Sequence, residues 1–277
     1  MNNPDYSSPE AKLTRAREHF DSLAAEFEEW NNSAGPRIVA DTYEGGLVRS
    51  YRVRYDSVPD LTRWALIAGD CAHNVRTALD HFVGVHGGRT FPVLARKRDW
   101  EKSDRHGNPG PSSGLSKVAN MSRELIAGIE ALQPYNNPVD GDPKRNLLYL
   151  VHQIDRQDKH ATLAVANFFP TEANATIDFR RDAMDTQSLA PYSIQLVNKE
   201  RPLHDNTEVM RVNFASDAEA QAAIRLNATI EITLAVDVEG TQWDALPLLE
   251  DTAAHVERSL NNLARLASQA GGATSAH

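Results

Sequence analysis

The chain is poor in cysteine, lacks any long apolar run and has no excess of positive charge, and each shortage removes a class of protein. A lone cysteine, Cys71, excludes an intramolecular disulfide or a thiolate metal cluster within one chain. Its neighbours at helical spacing, Trp64, Ile67, Val75 and Ala78, point to simple burial. No stretch approaches the roughly 18 to 20 consecutive apolar residues of a membrane span, and the opening MNNPDYSSPE lacks the basic and apolar regions of a secretory signal. The expected location is therefore the cytoplasm. The net charge of −9 argues against nonspecific coating of nucleic acid, because phosphate neutralisation requires a basic surface. Two local basic stretches, RSYRVRY at 49–55 and ARKRDWEKSDR at 95–105, read as solvated surface.

What is present is a chain of 277 residues, 41% apolar, long enough to bury a substantial core. Ser8 and Pro9 start a helix over 9–31, where Leu13, Ala16, Phe20, Leu23, Phe27 and Trp30 recur at three and four residues. PRIVADTY and LVRSYRVRY, separated by EGG, read as a β-hairpin. Ser57 and Asp60 form a capping-box pattern, with Pro59 in the first turn, for a helix that continues to GVHGG near 84–88. A Gly/Pro/Ser-rich loop at 103–114 is expected to be mobile, and helices follow over 122–135 and 144–160. From Ala161 the β-branched runs ATLAVANFF, ATIDFRR, YSIQLVN, EVMRVNFA and AIRLNATIEITLAVDV predict an antiparallel sheet over about 161–240. Asp244 then caps a last helix, with Leu249, Ala253, Val256, Leu260 and Leu263 at heptad-like spacing. The fold class is α+β: residues 1–160 form a helical bundle with an inserted hairpin, and 161–277 form a sheet with a closing helix, packed together as one unit.

The chemistry concentrates in GDCAHNVRTALDH, residues 69–81. On a helical wheel Asp70, His73, Asn74, Thr77 and His81 gather opposite Trp64, Cys71, Val75 and Phe82, with Arg76 and Asp80 flanking the polar strip. Water alone would be met by Lys, Glu and Gln; these residues titrate near neutrality, coordinate metals or make directed hydrogen bonds. HQIDRQDKH at 152–160 echoes the pattern, with two His eight residues apart and with His152, Asp155, Arg156 and Lys159 on one face. If the two helices are neighbours, their polar strips meet in one cleft.

NVRTALDH resembles the Arg-x4-His motif of HEPN ribonucleases, a family of helical bundles, with Arg76 and His81 at the two motif positions and the polar Thr77 after the Arg. The resemblance implies a metal-independent endoribonuclease, acting as a toxin or defence effector, that works on RNA as a homodimer and is restrained by an inhibitory partner protein. It makes Arg76 the phosphate-binding group and His81 the general acid or base, oriented by Asn74 and Asp80. His73, Asp155, Lys159 and His160 are second-tier candidates, and no cofactor is implied. Over a longer span the chain is similar to a group of bacterial proteins that share a GD..HN.R..LDH helix, an F.P segment and a DKH helix, a similarity that implies no activity.

Two other readings stay open. Asp70-x-x-His73 and His152-x-x-Asp155 have the i,i+3 spacing by which bundle helices present ligands to a shared iron, manganese or zinc. The same residues could instead form a noncatalytic buried network that fixes helix register, leaving the protein a binding or structural module.

Overall fold

In a computed structural model, residues 4–160, 165–179, 193–197, 203–217, 220 and 223–273 are described. Among them the helices are α1 (Ser7–Ala34), α2 (Leu61–Val85), the short α3 (Lys97–Trp100) and α4 (Gly114–Val118), α5 (Arg123–Ala131), α6 (Leu147–His160) and α7 (Ala245–Ala273). The strands are β1 (Pro36–Tyr43), β2 (Val48–Tyr55), β3 (Val165–Phe179), β4 (Ser193–Leu196), β5 (Glu208–Asn213), β6 (Ala223–Val238) and β7 (Thr241–Asp244). Helix and sheet coexist as the α+β reading requires, and no helix among the described residues is long and apolar enough to cross a membrane.

Strand and helix assignments differ from the sequence expectation mainly at their ends. The β1–β2 hairpin turns through Glu44–Gly46, where Gly45 and Gly46 take φ of 66° and 109°, values that a Cβ disfavours. Helix α2 begins at Leu61, so Pro59 precedes it and the box at Ser57 and Asp60 does not open it. The Ser57 carbonyl accepts instead from the Trp30 indole at 2.9 Å, and Leu61 N–H closes a tight turn on Pro59 O at 2.9 Å. Helix α5 stops at Ala131, short of 135, because Pro134 opens a separate 3₁₀ turn. The 103–114 segment is closed by hydrogen bonds of its own: Asp104 Oδ1 accepts from the N–H groups of His106 and Asn108 at 2.8 and 3.0 Å. Parts of the runs expected as strands, at 161–164 and 180–192, lie outside the described residues.

The division of the chain differs from a boundary near 160. One unit comprises 1–24, 62–164 and 237–277, the other 25–61 and 165–236. The reason lies in strand pairing. β2 pairs antiparallel with β5, giving a sheet of order β1-β2-β5-β4, while β3, β6 and β7 form a second sheet. The hairpin therefore belongs with the later strands rather than the bundle. Tyr51, Met210, Val212, Phe214 and Ala220 form a core there, with the Arg49 guanidinium 5.1 Å above the Phe214 ring.

In the helical unit, α5 and α6 pack against α7, so the closing helix is a bundle member. Gly128 permits a close approach, since a Cβ there would lie 2.8 Å from Leu263 Cδ2 and 2.9 Å from Leu266 Cδ1. Helix α2 is buried along nearly its whole length, with Trp64, Cys71, Val75, Leu79 and Phe82 in the core and Asn74 and Arg76 buried beside them. Each large apolar side chain so placed contributes about 1.5–3 kcal/mol. A helix with neighbours on several sides has no single solvent face, and this places the site.

Candidate functional site

The polar residues of α2 separate into three groups, each facing a different neighbour. The first faces α6. His73 Nδ1–H donates to Asp155 Oδ1 at 2.8 Å, and on the opposite ring nitrogen Thr77 Oγ1 approaches Nε2 at 3.4 Å. Asp155 is buried at 4% exposure, whereas the His73 side chain is 41% exposed. A buried carboxylate on Nδ1 fixes the ring and holds the proton there, leaving the lone pair on Nε2, the arrangement of a positioned general base.

The second group faces the segment 89–91. Arg76, at 6% exposure, donates from Nη1 to Asp80 Oδ1 at 2.8 Å and from Nη2 to the Phe91 carbonyl at 2.6 Å and Thr90 Oγ1 at 3.4 Å. The same Asp80 oxygen accepts from Thr90 Oγ1 and Phe91 N–H, both at 2.7 Å. Arg76 Nε–H points the other way, to His152 Nδ1 on α6 at 3.4 Å. His152 accordingly keeps its proton on Nε2 when neutral. Burial, helped by Arg76, pulls its pKa down to about 4, so it is uncharged at neutral pH.

The third group faces α1. Asn74 Nδ2 donates to the Asp70 carbonyl at 2.8 Å, its Oδ1 accepts from Lys12 Nζ at 3.3 Å, and His81 Nδ1 lies 2.7 Å from Ser8 Oγ. Nearby, Tyr6 stacks on Phe82 at 5.5 Å and its hydroxyl meets His86 Nε2 at 3.0 Å.

No protein-family model, curated protein or solved structure matches the chain. The site is thus read from its own atoms.

Of the residues picked from sequence, the fold joins His73 with Asp155, and Arg76 with Asp80 and His152. Arg76 and His81 make their hydrogen bonds to different neighbours, as expected for residues five apart, about 140° around a helix. Asp70 is exposed at the edge of the cluster. Lys159 and His160 lie in α6, but their side chains are outside the described set. Among the described residues no three His, Cys, Asp or Glu side chains gather as a metal-holding group.

Three participants carry no signal in the sequence. Thr90 and Phe91 tie down Asp80 through a short segment whose sequence, RTFP, carries no helical or strand period. Lys117, on the five-residue α4, is half-buried, and its pKa is lowered by burial and by Arg76 and Arg89. A helix of one turn shows no periodicity, so nothing in GLSKV marked this lysine.

Proposed function

We propose that the protein is a metal-independent endoribonuclease in which His73, held by Asp155, is the proton-transfer group. The observation that carries the reading is the dyad itself: a buried carboxylate bound at 2.8 Å to one nitrogen of a partly exposed imidazole whose other nitrogen meets the Thr77 hydroxyl at 3.4 Å. The choice of RNA rests on the resemblance of NVRTALDH to the HEPN motif. In this scheme Nε2 of His73 takes the proton from a ribose 2′-hydroxyl, the freed oxygen attacks phosphorus to close the 2′,3′-cyclic phosphate, and the P–O5′ bond breaks, the departing 5′-oxygen taking a proton from water to leave as a 5′-hydroxyl. Asp155 keeps Nδ1 protonated and stabilises the imidazolium that forms, as the carboxylate of a catalytic triad does.

Incubation with mixed RNA in excess EDTA tests the proposal. The expected products end in 2′,3′-cyclic phosphate and 5′-hydroxyl, and Asp155→Asn slows their formation by about 10²-fold or more, a typical size for acid–base assistance. Loss of cleavage on adding EDTA would overturn it.

One observation favours a noncatalytic second reading. The buried Arg76 has all three nitrogens engaged, which suits a network that fixes packing better than a guanidinium waiting for phosphate. That reading predicts no turnover, with His73→Ala lowering the melting temperature instead.

A further inference from the structure

Away from the polar seam, β1 leaves a whole strand edge open. Among the described residues it pairs with β2 alone and ends the order β1-β2-β5-β4. Which of its backbone groups face that edge follows from the hydrogen bonds of Val53, which donates to Thr207 O at 2.9 Å and accepts from Asn206 N–H at 2.8 Å, so that both its groups turn away from β1. Val53 stands opposite Ile38 in an unbroken antiparallel register. Ile38, and with it Pro36, Ala40 and Thr42, therefore turn their own backbone groups to the free edge. Pro36, with no N–H to leave unpaired, occupies the first of these outward positions, and the chain at Ala40 and Thr42 is exposed. We propose that this edge is where two copies of the chain join, β1 against β1 in antiparallel pairing centred on Val39. The inference does not rest on the nuclease reading, since β1 carries none of its residues.

The occupant is a second copy because the strand is complementary to itself. Two centres match outward group to outward group over nearly the whole strand, Ala40 and Val39. Centred on Ala40, Arg37 meets Tyr43 and Val39 meets Asp41 of the second copy. Centred on Val39, Arg37 meets Asp41 of the second copy and, by symmetry, Asp41 meets its Arg37, while the two Val39 side chains meet on the axis. These are non-hydrogen-bonded positions, where facing side chains approach most closely and opposite charges stabilise. Between them Ile38 and Ala40 of the second copy exchange backbone bonds, and the Pro36 carbonyl accepts from Thr42 N–H. Ile38 packs into the Tyr51 and Phe214 core, so alternation puts Arg37, Val39 and Asp41 together on the opposite face. Within one copy Arg37 pairs with Asp56, and Asp41 with Arg52 at 3.3 Å. Both pairs reach the surface, where such contacts contribute about 0–1 kcal/mol, and they leave each group able to take a second partner. Any strand could bond the open backbone, but two bodies of net charge −9 repel, and paired local charges then select the partner. Nor is the edge blunted, since β1 carries neither a bulge in its register nor a proline past its first residue.

The test is sedimentation equilibrium of the whole protein over a range of concentrations, which reads mass and not cleavage. Wild type should approach twice the chain mass of 30.6 kDa as concentration rises. Arg37→Glu and Asp41→Arg should each weaken self-association at least tenfold, because each sets like charges against each other on both sides of the axis. Mixed in equal amounts, the two variants should associate again, since one then supplies both acidic partners and the other both basic ones. That rescue cannot come from repair of the pairs with Asp56 and Arg52, which lie within a copy, and it shows that both variants are folded. Ala40→Pro removes an outward N–H without touching the β1–β2 ladder, and should give a monomer with the circular dichroism of wild type. A wild type that stays at the mass of one chain overturns the inference. A dimer unaffected by Arg37→Glu and Ala40→Pro overturns it too, by placing the contact on another face. Failure of the mixed variants to associate overturns the pairing centred on Val39.

Discussion

At the scale of single residues, environment sorts three chemically eager side chains into different tasks. Cys71 is fully enclosed, and burial pushes its thiol up to about 12. The thiolate is the reactive form, so a disulfide reagent at pH 8 should leave native protein unlabelled and titrate one thiol per chain after denaturation; fast labelling of the native state would contradict this burial. His73 is held on the α2–α6 seam by Asp155, while His152 accepts from Arg76 Nε–H and feels the charges of Asp155, Lys117 and Arg156. The sign of the His152 effect follows from linkage. Its folded value, about 4, lies below the ordinary 6.5, so as pH falls from 6.5 the unfolded chain takes up a proton first. Stability is therefore full above about pH 6.5 and declines toward pH 4. Melting curves of wild type and His152→Gln across that window should diverge, the variant falling less steeply; parallel curves would show that His152 is not held neutral.

At the scale of elements, α2 owes its unusual composition to having partners on several sides. His73 and Thr77 serve α6, Arg76 and Asp80 serve the 89–91 segment, and Asn74 and His81 serve α1. The Arg76–Asp80 pair also anchors a segment with no regular structure of its own. Asp80→Ala leaves a buried guanidinium without its carboxylate and strands the Phe91 N–H, and should cost about 2–3 kcal/mol in urea unfolding, discounted for the partial exposure of Asp80. Arg76→Met combined with Asp80→Leu should recover part of that loss, since a packed apolar pair needs no counter-charge. If Asp80→Ala unfolds at the wild-type midpoint, the network does not hold the segment.

The same elements show what could be read from the sequence. The polar wheel of α2 and the echo in α6 identified the residues that meet, because helical periodicity converts spacing directly into direction. It did not reveal that the strip would divide among three neighbours, since the wheel gives an angle and not the identity of what lies there. The Arg-x4-His spacing was legible as a motif, yet five positions turn the two side chains apart, and the groups that do touch, His73 with Asp155 and Arg76 with Asp80, lie on α6 or one turn along α2. Lys117 and Phe91 were out of reach because short irregular segments carry no period.

At the scale of the whole chain, strand pairing cuts across sequence order. The hairpin joins β5, more than 150 residues later, and the last helix returns to α5 and α6. Composition and propensity identified the elements; long-range pairing is set by which edges and faces match, a property local sequence does not display. Within the helical unit α2 meets α6 at the seam that holds His73 and Asp155, with the 89–91 segment and the first turns of α1 as its other polar neighbours. In the proposed nuclease, proton transfer at this seam belongs to His73 and not to the motif histidine His81. Cleavage of one labelled RNA by His73→Ala and His81→Ala, assayed side by side in EDTA on folded protein, tests it most directly. His73→Ala should be inactive and His81→Ala should retain cleavage; activity in His73→Ala, or its loss in His81→Ala alone, would assign the proton transfer elsewhere.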